Sequence, residues 1–192
     1  MKFWDTTALV DNLEWVSAIP GVARLNNTMH HDTRGTFRKP VGVLPGKALT
    51  IQEVFWSESR PSVLRGMHTG ASEHQGDKLI TVIKGEVMDA LVDLRPGRTL
   101  GSTFTLRLNE DSPSLLVPAG VAHGFQVLSR CSAIVLYIAS NSYEPEFDSG
   151  VNPLTCGIQW PMEDAVVSDR DISLPDLEAV VSAGGWAVKE LE

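Results

Sequence analysis

Lys78-Leu79-Ile80-Thr81-Val82-Ile83-Lys84-Gly85-Glu86-Val87-Met88-Asp89-Ala90-Leu91-Val92-Asp93-Leu94 decides the fold class. Leu79–Ile83 is a β-rich run, Lys84-Gly85 is a turn signal, and Glu86–Leu94 is a second run of similar length. Two such runs around a tight turn predict paired strands. In the second, Val87, Met88, Ala90, Leu91 and Val92 surround Asp89 and Asp93, which predicts an aspartate facing inward. A buried carboxylate is costly unless it has partners.

Outward from that hairpin the pattern repeats. Leu49–Trp56, Ser62–Met67, Thr103–Leu108, Leu115–Val117, Gly124–Leu128 and Ala133–Ala139 all read as short strands, with Pro61, Pro96-Gly97 and Pro118-Ala119-Gly120 between them. No amphipathic helix separates them, which predicts an all-β, antiparallel jelly roll of the cupin type with short terminal helices. Asp5–Ile19, closed by Pro20-Gly21, reads as a helix within an N-terminal extension over 1–20. His30-His31-Asp32-Thr33-Arg34-Gly35 reads as a loop before a strand at Thr36-Phe37. The barrel is expected over 21–145, and an irregular segment with a helix at Pro175–Ala183 over 146–192, all in one domain.

Composition narrows the function classes. The 192 residues are 43% hydrophobic and 21% charged, and 16 Lys and Arg against 24 Asp and Glu leave a net charge of -8, which argues against non-specific nucleic-acid binding. An anionic ligand would need a local cluster of Arg and Lys. Cys131 and Cys156 lack zinc-site spacing, and no stretch approaches the roughly 18 apolar residues of a membrane span. The expectation is a cytoplasmic protein with neither nucleic-acid nor membrane partner.

The chemistry-bearing residues fall on the predicted strands. His68 follows Arg65-Gly66 at a strand end, where it is either a structural histidine or a general base. Arg65 offers a fork of donors for a phosphate or carboxylate, and an inward Lys78 would stabilise an enolate oxygen. His123 sits in Pro118-x-Gly120-x-x-His123, the spacing of the second cupin motif. Five residues separate His68 from His74, so the His-x-His pair of a metal cupin is absent and no metal is expected. Tyr137 and Tyr143, the two tyrosines, are packing residues, proton donors or stacking surfaces. Asp171 gains significance only if it folds back onto His68.

Together, Val63-Leu64-Arg65-Gly66-Met67-His68, Gln75-x-x-Lys78-Leu79, Gly85-Glu86-Val87-Met88-Asp89-Ala90-Leu91-Val92-Asp93-Leu94-Arg95, Pro118–Phe125 and the tyrosine pair resemble the dTDP-4-dehydrorhamnose 3,5-epimerase family, from about Asp32 to Asp171. The resemblance implies a cofactor-free and metal-free homodimer acting on a nucleotide-diphosphate 4-keto-6-deoxy sugar. It implies His68 as base, Asp171 as its orienting carboxylate, Lys78 at the enolate oxygen and Tyr137 as the opposing proton donor. Arg65, Gln75, His123 and Tyr143, with Arg34 and Arg170, would hold the substrate.

The chain departs from the family's usual Gln-x-Asn-x-Ser-x-Ser strand, reading Glu53-Val54-Phe55-Trp56-Ser57-Glu58-Ser59. Arg38-Lys39 and Thr69-Gly70 are further departures. These fall where the family contacts nucleotide and sugar, so the motifs specify chemistry more tightly than substrate, or than C3 against C3 and C5. Two other classes are weighed against this one. A metal-dependent cupin oxygenase or isomerase would use His68, His74 and His123; a non-catalytic nucleotide-sugar-binding protein would have no need of a base facing an acid.

Overall fold

The computed structural model describes residues 13–40, 51–70 and 76–185. The strands are β1 (Leu13–Trp15), β2 (Ala23–Leu25), β3 (Thr28–Asp32), β4 (Gly35–Lys39), β5 (Glu53–Ser59), β6 (Leu64–Gly70), β7 (Lys78–Lys84), β8 (Glu86–Asp93), β9 (Thr103–Asn109), β10 (Ser114–Val117), β11 (Val121–Val127), β12 (Ala133–Ala139) and β13 (Asp148–Gly150). Two short helices follow, α1 (Asp169–Ile172) and α2 (Leu177–Ser182). One sheet runs β1-β2-β10-β7-β12-β5 and a second runs β13-β6-β11-β8-β9, with β3 and β4 as a separate hairpin. All pairings within these sheets are antiparallel, as expected for a jelly roll.

The near-continuous apolar run of β8 has a two-sided explanation. Successive side chains of a strand point to opposite faces. Val87 and Leu91 enter the cluster between the sheets with Ile80, Leu115, Phe125 and Val135. Ala90 and Val92 enter a second cluster with Met67, Ala122, Val151, Cys156 and Val180, where the C-terminal segment covers the outer face of the five-stranded sheet. Fully burying a side chain the size of Leu contributes about 1.5–3 kcal/mol, so both faces stabilise the strand. Asp89 and Asp93 are both fully buried. Asp93 is answered by Arg95 and by the Thr99 hydroxyl; Asp89 turns toward the site described below.

Several expectations are corrected. The helix read over Asp5–Ile19 lies outside the described residues up to position 12, and Leu13–Trp15 is a strand paired with Ala23–Leu25. The apolar pattern there serves a sheet edge, not a helix face. His30-His31-Asp32 is strand β3, and the turn is confined to Thr33-Arg34, where the Asp32 carboxylate accepts from the Arg34 backbone N–H. The segment read as irregular after Tyr143 contributes β13, which pairs with β6.

The β6–β11 pairing shifts register between His123/His68 and Phe125/Arg65, so β6 carries one residue more than its partner. Bulges of this kind re-aim side chains near functional sites. Here Met67 goes to the outer cluster, while His68 is only partly buried. The approach is close: a Cβ on Gly66 would lie 2.5 Å from the Gly124 Cα and 2.7 Å from the His123 oxygen. Gly66 has φ +114 and Gly97 has φ +137, but nothing lies within 4 Å of a Cβ at Gly97. Gly66→Ala is therefore expected to lose roughly 1–3 kcal/mol more stability than Gly97→Ala, the cost of overpacking added to a shared backbone penalty. Urea unfolding of the two variants checks this, and equal losses would contradict the tight approach.

Candidate active site

A cavity of about 210 Å³ opens between the sheets, lined by residues that include Arg65, His68, Lys78, His123, Tyr137 and Tyr143. Its two walls come from different sheets: Arg65, His68 and His123 from β6 and β11, Lys78 and Tyr137 from β7 and β12. Six of the residues expected from sequence thus converge on one space.

The C-terminal segment brings the seventh. Val166 bridges to Val63, and the Leu64 N–H donates to the Val166 carbonyl at 2.9 Å, laying the chain along the start of β6. Ser168 then caps α1 by accepting from the Asp171 N–H at 3.1 Å. Asp171, 4% exposed, lies 2.7 Å from His68 Nε2 through one carboxylate oxygen and accepts from the Gly66 N–H at 3.1 Å through the other. Burial pushes its pKa up, but the hydrogen bond and charge of His68, with the Gly66 N–H and Ser168, outweigh this and hold it below the ordinary value. An ionised carboxylate here favours the tautomer with the proton on Nε2, leaving the Nδ1 lone pair for a substrate.

A second His–Asp pair stands beside the first. His123 is the register partner of His68, and its Nε2 lies 2.7 Å from Asp89 Oδ2 with both side chains buried. Asp89 is pushed the other way: burial raises its pKa and His123 offsets this only in part. The Tyr137 ring meets the His123 ring edge-on at 5.8 Å and stacks on Phe55 at 4.8 Å. Burial, followed by the charge of Asp89, raises the Tyr137 pKa well above that of a free phenol, so the resting side chain is a proton donor. Burial lowers the Lys78 pKa, against the opposing charge of Asp148.

Around the mouth, Arg65 donates to the Ser59 hydroxyl at 2.7 Å, and the Tyr143 N–H donates to Glu53 at 3.0 Å. Tyr143 is 54% exposed, at the rim. Arg170 pairs with Asp148 and, with Arg65, His68 and Asp171, lines a cavity of about 320 Å³ behind the dyad. Arg34 is not brought to the cleft. It is exposed at the β3–β4 turn, paired with Asp32. Gln75 lies outside the described residues, as does His74 of the metal alternative. Among the described residues no three His, Cys, Asp or Glu side chains group as metal ligands. The sequence alone gives no role to Asp89, Phe55, Ser57 or Asp148, although Phe55 and Ser57 lie on the strand that departs from the family pattern near the substrate. The inward aspartate of β8 and the alternation of β5 were the signals available for the first three.

The family model for dTDP-4-dehydrorhamnose 3,5-epimerase matches residues 16–179. The chain belongs to that family. The enzyme of this name from Mycobacterium tuberculosis is 32% identical over 178 residues, covering 86% of this chain and 88% of the relative. Among solved structures, a 4-keto-6-deoxy sugar epimerase from the novobiocin biosynthetic gene cluster of Streptomyces spheroides superposes with a TM-score of 0.84 at 30% identity, covering 90% of each chain. The Legionella pneumophila epimerase in complex with dTDP-4-keto-L-rhamnose gives 0.82 at 28% identity, covering 91% of this chain and 96% of its own. This family member is thus an enzyme of the nucleotide-sugar epimerase type.

The Asp171 shift sets a pH dependence. A folded-state pKa below the unfolded value near ~3.9 contributes stability that is complete above that value and is lost as pH falls through the folded pKa. Wild type is therefore expected to be more stable than Asp171→Asn at neutral pH, with the gap narrowing below roughly pH 3.9. Urea titrations across that range check it. A gap that does not change with pH would mean that the carboxylate is not held ionised by its partners.

Proposed function

We propose that the chain inverts C3, C5 or both in a nucleoside-diphosphate 4-keto-6-deoxy sugar, with His68 as base and Tyr137 as acid. The observation that carries this reading is that a carboxylate-backed imidazole and a protonated phenol line one cavity from facing sheets. His68 Nδ1 removes the proton alpha to the ketone, and the C–H electron pair becomes the enolate double bond as the carbonyl pair moves onto oxygen. The Lys78 ammonium, its charge poorly hydrated, stabilises that oxygen. Reprotonation by the Tyr137 hydroxyl from the other face restores the ketone with inverted configuration. His68 is left protonated and Tyr137 as a phenolate, and exchange with water resets both.

Arg65 and Arg170 suit the diphosphate through charge-assisted donors, and His123, held by Asp89, suits a sugar oxygen. Tyr143 offers a stacking face at the rim, Gln75 is carried as a substrate contact on the resemblance, and Arg34 would reach a substrate only from another protomer. The reaction calls for no metal or organic cofactor, because the enolate is stabilised by side chains. The free thiols of Cys131 and Cys156 suit a reducing compartment such as the cytoplasm. No helix among the described residues is long and apolar enough to cross a membrane.

In heavy water, the wild-type protein is expected to incorporate deuterium at C3 or C5 of a dTDP-linked 4-keto-6-deoxy sugar, followed by NMR. His68→Asn should abolish incorporation, and Tyr137→Phe should slow inversion by about 10²-fold or more while exchange at the base persists. Deuterium uptake by His68→Asn at the wild-type rate would sink the assignment.

We also propose a homodimer. The edge strand β5 exposes Val54 and Trp56 at 59% and 61%, an apolar stripe of the kind covered by a partner chain. Sedimentation equilibrium is expected to give a dimer that Trp56→Glu weakens. A monomer at all concentrations would refute it.

A further inference from the structure

Phe55 lines the cleft, yet no step of the reaction above requires its ring. It lies on β5 directly opposite Tyr137 in the β5–β12 register. The two rings are nearly parallel, with centroids 4.8 Å apart and planes 12° apart. On another side, the His123 ring contacts the phenol at 71°, and His123 is itself tied to Asp89. The Tyr137 ring is therefore held by two ring neighbours, one fixed by a buried hydrogen bond and one by strand register, and the Ser57 side chain, also on β5, stands at the phenol hydroxyl. Phe55 is 42% exposed and lines the same cavity as His68. A phenyl ring has no group that can exchange a proton, so any contribution to the chemistry passes through its neighbour.

We infer that Phe55 is a positioning residue for proton return: its ring fixes the tilt of the Tyr137 phenol, and so governs how often an enolate is protonated on the inverted face. This deepens the proposed function and rests on Tyr137 being the proton donor. The physical reason is geometric. A cross-strand aromatic pair restricts the rotation of both rings, and misplacing a reacting group by about 1 Å costs on the order of 10²-fold in rate. With the stack removed, the phenol gains freedom to tilt into the space that Phe55 vacates. His68 still removes the substrate proton, but the enolate then more often recovers a proton on its original face. Substrate would exchange with solvent without being inverted. Phe55 also stands where the family's usual strand carries Asn, so this means of holding the phenol belongs to this chain's own version of the strand.

The test compares Phe55→Leu and Phe55→Tyr with wild type, on a dTDP-linked 4-keto-6-deoxy sugar in heavy water. Deuterium incorporation and inversion are measured on the same samples. Phe55→Leu is expected to lower the inversion kcat by about 10-fold or more, while exchange and KM stay within about 3-fold. Phe55→Tyr, which keeps the flat ring, should restore the wild-type ratio of inversion to exchange. Adding Phe55→Leu to Tyr137→Phe should cause little further loss, because the two act as a unit. A proportional fall in inversion and exchange that Phe55→Tyr does not rescue would make Phe55 merely structural. A rise in KM alone would make it a binding wall. Either result overturns the inference. Failure of the parent reading looks different: Tyr137→Phe itself would invert substrate at the wild-type rate. Sedimentation of each variant controls for altered assembly, since Phe55 lies on the strand proposed to meet a partner.

Discussion

The hydrogen bond between His68 and Asp171 joins residues 103 positions apart, and the C-terminal third of the chain is arranged to make it. Asp171 is nearly buried, and a buried carboxylate without donors would be unstable in its charged form. It finds two donors, the imidazole and the Gly66 N–H, while its own N–H is satisfied by the Ser168 cap. The same segment covers Ala90, Val92 and Ala122 on the outer face of the five-stranded sheet. Detaching it would expose that apolar cluster and strip His68 of its carboxylate in one event. Packing and the His68–Asp171 pair are therefore coupled through one stretch of chain.

Beside that pair, His123 and Asp89 repeat the same chemistry in a different environment. Asp171 is held below its ordinary pKa; Asp89 is raised, because it is fully buried and His123 offsets this only in part. Two like pairs whose environments push their carboxyl groups apart acquire different roles. In the proposed reaction the His68 pair accepts the substrate proton and stabilises the resulting imidazolium. The His123 pair meets the Tyr137 ring edge-on and, in the same proposal, orients a substrate oxygen. Asp89 also acts at a distance: its charge is one of the influences raising the Tyr137 pKa, so the β8 aspartate bears on the acid as well as on its own histidine.

The fold class and most of this site were legible in residue order, because strand periodicity, turn residues and the motifs around His68 and His123 are local signals. The convergence of Arg65, His68, Lys78, His123, Tyr137 and Tyr143 follows once those strands face each other. What could not be read depends on burial from both sides and on distant register. Asp89 and Asp93 look alike along β8, yet one meets a histidine and the other an arginine and a threonine. Leu13–Trp15 fits a helix pattern yet forms a strand because, over a few residues, apolar spacing does not separate the two periods, and sheet pairing decides. Ser168 caps α1 and accepts from the Asp171 N–H, and nothing local along the chain marks where that carboxylate points.

The departures from the family pattern on β5 have a structural logic. Glu53, Phe55 and Ser57 alternate toward the cleft and its rim, while Val54 and Trp56 face outward. Among the described residues β5 is an edge strand, hydrogen-bonded to β12 alone. A side chain there can change without disturbing the layers that fix His68 and His123, which lie on strands paired on both sides. This wall of the cleft can therefore vary while His68, Asp171 and the second His–Asp pair stay in place. The limit on that freedom is Tyr137, which takes one of its two ring contacts from β5. A substitution that reshapes this wall also changes what holds the phenol, so if Tyr137 is the proton donor proposed above, substrate choice and the face of proton return cannot be tuned independently.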